Sequence, residues 1–84
     1  MLKFKVGDIC KQITAEIGEN PIVEIVNIRF CNEGRLDIAH KHKNANRICY
    51  SGELTETEAN RWFITIKKIK QFGIVAFMNN TTNI

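Results

Sequence analysis

Residues 54–73, LTETEANRWFITIKKIKQFG, carry the start, the apolar stripe and the stop of one amphipathic helix. Thr55 and Glu58 have the spacing of a capping box, in which the Thr55 hydroxyl accepts from the Glu58 amide and the Glu58 carboxylate accepts from the Thr55 amide. Behind that start Ala59, Trp62, Phe63, Ile66, Ile69 and Phe72 recur at helical steps, and Gly73 offers a left-handed terminus. The stretch predicts a helix over residues 55–72. It fixes a fold class and is silent about chemistry.

Upstream, Leu2, Phe4 and Val6 alternate with Lys3 and Lys5, as in a short strand with one buried face, and Gly7-Asp8 ends it. Ile9, Cys10, Ile13, Thr14 and Ile17 then share a helical stripe, with Asp8 as N-cap, Gly18 as stop and Pro21 shortly after. A strand reading would put Lys11 between Ile9 and Ile13 on the buried face, so a first helix is expected here. Phe4-Lys5-Val6-Gly7-Asp8-Ile9-Cys10 also resembles the first strand and turn of small SH3-like barrels, which often begin with an aromatic, Gly-Asp and a β-branched residue. That resemblance covers only these seven residues, and the long helix expected at 55–72 departs from it.

Ile22 to Cys31 is the longest strand candidate, and Asn32-Glu33-Gly34 suits a three-residue hairpin loop with two right-handed residues followed by a left-handed Gly. This loop pairs Cys31 with Arg35, Phe30 with Leu36, Ile28 with Ile38 and Val26 with His40, which gathers the apolar residues on one face. Residues 41–46 read as a polar loop, and Arg47-Ile48-Cys49-Tyr50 resumes a strand before Ser51-Gly52 turns. Ile74 to Met78 has strand length, and Asn79 to Ile84 reads as a frayed polar tail. The expected order is β-α-β-β-α-β: a single α+β domain over residues 1–78 with the ferredoxin-like split βαβ sheet and two helices on one face. The alternative is a small SH3-like β-barrel with an added helix. In the first arrangement Ile22–Cys31 lies at a sheet edge, open to another chain.

Eighty-four residues allow one core and bury only roughly 60–65% of the unfolded surface, which disfavours a deep catalytic cleft. An apolar content of 44% with 25% charged residues is that of a globular chain. Thirteen Ile against three Leu, with nine Asn and eight Lys, point to an AT-rich coding genome such as that of a phage, a mobile element or a low-GC bacterium. No window approaches eighteen apolar residues and no apolar core follows Met1–Lys5, so neither a membrane span nor a signal peptide is expected. Cys10, Cys31 and Cys49, odd in number and widely spaced, read as reduced thiols in cytoplasm.

The hairpin register assigns an outward face of Val23, Ile25, Asn27, Arg29 and Cys31 opposite Arg35, Asp37, Ala39, Lys41 and Lys43. Arg29 pairs with Asp37 there, and Arg35, Lys41, Lys43 and Arg47 remain as surplus cations matching the net charge of +3. The patch suits an acidic protein surface or a phosphate backbone, although the face lacks the aromatic pair of RNA-recognition sheets. Trp62 beside Phe63 is the candidate apolar anchor, and exposed Ile64, Val23 and Ile25 point to a partner or a homodimer.

His40 and His42 share a strand face, and Cys49 approaches His40 if residues 47–50 fold back, a trio able to hold zinc. With no second Cys or His pair, a half-buried structural histidine is the preferred state, so neither metal nor other cofactor is expected. A Cys-His nucleophile from Cys49 or Cys31 with His40 lacks a visible oxyanion hole, and Glu53, Glu56 and Glu58 are explained by the helix macrodipole. The sequence reading is thus a non-enzymatic cytoplasmic protein that docks on a host protein or nucleoprotein complex and inhibits or modulates it. Its expected contacts are Arg29, Arg35, Lys41, Lys43, Arg47 and Trp62. Direct nucleic-acid binding through the same cations is the alternative.

Overall fold

The computed structural model describes residues 1–68. Five strands, β1 (Ile9–Gln12), β2 (Ile22–Phe30), β3 (Leu36–His42), β4 (Ile48–Leu54) and β5 (Phe63–Lys67), form one sheet. The helix α1 (Glu56–Trp62) sits between β4 and β5. The spatial order is β4-β3-β2-β1-β5 and every neighbouring pair is antiparallel. This overturns the split βαβ expectation, which needs two helices. Among the described residues β4 and β5 are the two edges, with no pairing between them that would close a barrel. The strand Ile22–Phe30, expected at an edge, lies inside the sheet between β1 and β3.

Residues 9–17 form no helix. Cys10 points into the core while Lys11 faces solvent, the opposite phase to the strand reading that had Ile9, Lys11 and Ile13 inward. The apolar residues that suggested a helical stripe are spent outside, since Ile13 and Ile17 are both exposed. Leu2 to Val6 is likewise no regular strand, but Phe4 is buried. This arm is held by Gly7 N–H donating to Ile25 O (2.8 Å) and Lys3 N–H donating to Asn60 Oδ1 (2.8 Å).

The β2–β3 hairpin keeps the expected register at its tip, where Phe30 faces Leu36, Arg29 faces Asp37 and Ile28 faces Ile38. Its loop differs in one residue: Glu33, expected right-handed, is left-handed at φ 62° beside Gly34 at φ 72°. Further down, a bulge at Val26 shifts the pairing, so His40 faces Ile25 and His42 faces Val23, not Val26 opposite His40. The one-residue slip moves Val23 and Ile25 from the expected outward face into the core. Phe30, expected inside, is 74% exposed at the strand end.

A second bulge lies on β4, where Gly52 at φ 80° lets the strand continue to Leu54 instead of turning at Ser51-Gly52. Asp37 secures it: its carboxylate accepts from Gly52 N–H (3.2 Å) and lies 3.5 Å from Ser51 Oγ, while Ser51 Oγ accepts from Ile38 N–H (2.9 Å).

The capping box forms as read, with Glu58 N–H donating to Thr55 Oγ1 (3.1 Å) and Thr55 N–H to Glu58 Oε1 (3.0 Å). The helix nevertheless ends at Trp62 and is only seven residues long. Phe63-Ile64-Thr65-Ile66 is rich in β-branched residues and fits period two as well as 3.6, and it pairs along the edge of β1. The hydrogen bonds of that edge outweigh a longer helix. Ile69, Phe72, Gly73, the strand expected at Ile74–Met78 and the tail expected at Asn79–Ile84 lie outside the described residues. Phe4, Cys10, Val23, Ile25, Leu36, Ile38, Leu54, Ala59 and Phe63 make the core, with Leu2, Ile28 and Trp62 half-buried against it.

Candidate functional site

The cations expected to act together divide between two ends of the sheet. Arg29, at the hairpin tip, pairs with Asp37 (3.4 Å), with its side chain 68% exposed. Arg35 follows the hairpin loop and feels the Glu58 carboxylate at the helix start. Lys41 and Lys43 lie at the other end, where they line a groove of about 650 Å³ with Ile9, Ile22, Glu24 and Asn46. Arg47 lies close by, on the loop before β4. Trp62 is half-buried, its packed part against the core. On β4 the outward residues Ile48 and Tyr50, opposite Lys41 and Ala39, are exposed instead, Tyr50 at 70%.

On the inner face the sheet brings three ligand-type side chains together. His40 and His42 alternate on β3, and Cys49 on β4 lies directly opposite His40. One ligand-capable atom of each lies within 4.8 Å of the others. The two imidazoles meet edge to face at 5.4 Å between centroids, and His40 is backed by the Phe63 ring at 5.2 Å.

Backbone carbonyls set both tautomers. His40 Nδ1 lies 3.0 Å from Ile38 O and His42 Nδ1 lies 2.7 Å from Asn20 O. A carbonyl only accepts, so each Nδ1 carries a proton, and in the neutral ring the Nε2 lone pair turns outward. His40 is 2% exposed, and burial lowers its pKa below the ordinary 6.5, so it stays neutral at physiological pH. Burial likewise pushes the Cys10 thiol up to about 11, which marks it as a core residue.

The β1–β2 loop supplies a fourth group that sequence spacing did not reveal. Glu19 Oε2 lies 3.7 Å from His42 Nε2, while Glu19 Oε1 accepts from Glu16 N–H (2.9 Å). Gln12, from β1, lines the same cleft of about 190 Å³ and has a buried Oε1 without a hydrogen-bond partner among the described residues. Asn20 and His42 are 22 residues apart in the chain. No local pattern announces such a meeting.

Comparison with protein-family models, with curated proteins and with solved structures found no match for this chain. No helix among the described residues is long and apolar enough to cross a membrane.

Proposed function

We propose that this chain is a small non-enzymatic cytoplasmic interaction domain, of phage or mobile-element origin, that docks on a host protein or nucleoprotein complex and inhibits or modulates it. The observation that carries the reading is the outer groove flanked by Lys41 and Lys43, with Ile9 and Ile22 in its wall. It continues onto β4, which is a sheet edge among the described residues and exposes Ile48 and Tyr50. Apolar contact area beside cations is the composition of a docking surface for an acidic partner, and an unpaired edge strand adds backbone donors and acceptors. Cys10, Cys31 and Cys49 are free thiols, in keeping with a reducing compartment.

The test compares wild type with a Lys41→Glu/Lys43→Glu/Arg47→Glu variant in affinity purification from a host cell. A stoichiometric protein partner held by wild type and lost by the variant supports the reading. Failure to recover any partner, or equal recovery by both, rejects it.

Direct nucleic-acid binding is the second reading, favoured by the grouping of Lys41, Lys43 and Arg47 at one end of the sheet. Three phosphate contacts give a log–log salt slope of about −3 on duplex DNA. A mobility-shift assay without a complex at low salt excludes it.

A further inference from the structure

We propose that Cys49 Sγ, His40 Nε2, His42 Nε2 and Glu19 Oε2 form a four-coordinate zinc site that ties the β1–β2 loop to β3 and β4. The ligand atoms of His40, His42 and Cys49 already lie within 4.8 Å of one another. Tetrahedral zinc with bonds of roughly 2.0–2.3 Å sets its ligands roughly 3.3–3.8 Å apart. For the His40, His42 and Cys49 trio, closing the difference needs side-chain adjustments of about 1 Å, and Glu19 joins from 3.7 Å off His42 Nε2.

Three of the four groups have their other polar atom already held by the backbone. Ile38 O takes His40 Nδ1–H, Asn20 O takes His42 Nδ1–H, and Glu16 N–H holds Glu19 Oε1. This is the outer support that fixes tautomer and direction in metal-binding histidines and carboxylates. Glu19 Oε2 lies 3.7 Å from His42 Nε2, so a carboxylate oxygen and an imidazole nitrogen, both metal-ligand types, converge at this point. Gln12 Oε1, buried and without a hydrogen-bond partner among the described residues, lines the same cleft.

The donor set selects the metal. A thiolate, two imidazoles and one carboxylate suit zinc, whereas magnesium and calcium require oxygen ligands. The physical consequence is also specific. The residues between β1 and β2 are held mainly by turn bonds, such as Glu19 N–H to Glu16 O (3.0 Å), and zinc fastens that loop over the inner face.

The experiment uses the tag-free full-length chain, stripped with a chelator and titrated with Co²⁺ and then Zn²⁺. One Co²⁺ per chain is expected, with a near-ultraviolet sulfur-to-cobalt charge-transfer band and visible bands of tetrahedral intensity. One equivalent of Zn²⁺ displaces both. Cys49→Ser abolishes the charge-transfer band and weakens binding by roughly 100-fold, and Glu19→Gln keeps the band but loses roughly 10-fold in affinity. Cys31→Ser, at the hairpin, changes neither, and bound zinc protects Cys49 but not Cys31 from alkylation. The wild-type spectrum decides the matter even if a variant fails to fold. Absence of stoichiometric cobalt, or a bound-cobalt spectrum without the sulfur band, overturns the site. An unchanged affinity in Glu19→Gln overturns the four-ligand set.

Discussion

The bulge at Val26 decides which apolar residues of β2 hold the protein together, and paired truncations measure that decision. Ile25 is 0% exposed between β1 and β3, so Ile25→Ala removes buried carbon and leaves a cavity, a cost of about 3 kcal/mol. Phe30 is 74% exposed. Burial of about a quarter of a ~200 Å² side chain, at ~25 cal/mol per Å², makes Phe30→Ala cost about 1 kcal/mol despite the larger group lost. A chain of this size has a total stability of about 4–13 kcal/mol, so the first substitution takes a large share of it and the second a small one. At roughly 4–8 °C per kcal/mol, Ile25→Ala lowers Tm by roughly 12–24 °C and Phe30→Ala by roughly 4–8 °C. Urea unfolding followed through Trp62, the single tryptophan and half-buried against the core, reads both variants. A register without the bulge turns Ile25 outward, whereas Phe30 keeps its pairing with Leu36 either way. If Ile25→Ala costs no more than about 1 kcal/mol, the slip at Val26 is wrong.

Other consequences are equally direct. Asp37 joins three strands through Arg29, Gly52 and Ser51, so Asp37→Ala leaves the Gly52 amide without its acceptor and costs about 1–2 kcal/mol by urea denaturation. Arg29→Ala, at the exposed end of the same pair, costs about 0.5 kcal/mol at most; equal costs for the two refute the bulge-clamp role of Asp37. Thr55→Ala removes the helix cap and costs about 1 kcal/mol at neutral pH. The Thr55 amide, then its hydroxyl, hold the Glu58 carboxyl below its ordinary 4.5. A depressed folded value stabilises above the unfolded value and is lost as pH falls through the folded one. The stability gap between wild type and Glu58→Gln therefore closes on acidification below about pH 4.5, and a gap that widens there contradicts the capping box. Under native conditions at pH 8, iodoacetamide spares Cys10, buried with its pKa near 11, and modifies Cys31; mass spectrometry that finds Cys10 labelled as fast as Cys31 refutes the placement of β1.

Local chemistry in the sequence was a sound guide where the interaction spans a few residues. The Thr55–Glu58 box, the hairpin tip pairing Phe30 with Leu36, and the Arg29–Asp37 pair all formed as read. The same sequence misled wherever one pattern serves two periods. Ile9 and Cys10 fit a helical stripe, and Phe63 and Ile66 continue one, yet both segments are strands because they pair with each other across the sheet. The bulges at Val26 and Gly52 leave no period to read, and each inverts the inside and outside of the strand beyond it.

For the candidate metal cluster, His40, His42 and Cys49 were visible as a trio only on the condition that residues 47–50 fold back, which the pairing of β4 with β3 meets. Glu19, Asn20 and Gln12 were not visible, because they reach the site from a loop and a strand on the far side of β2. What the sequence alone determined is the set of short-range devices: a cap, a hairpin turn, an ion pair and a pair of alternating histidines. Only the tertiary structure decided which segments became strands and which face each side chain took. Backbone pairing between distant segments is worth more than a local periodicity, and a single extra residue in one strand reverses every side chain beyond it.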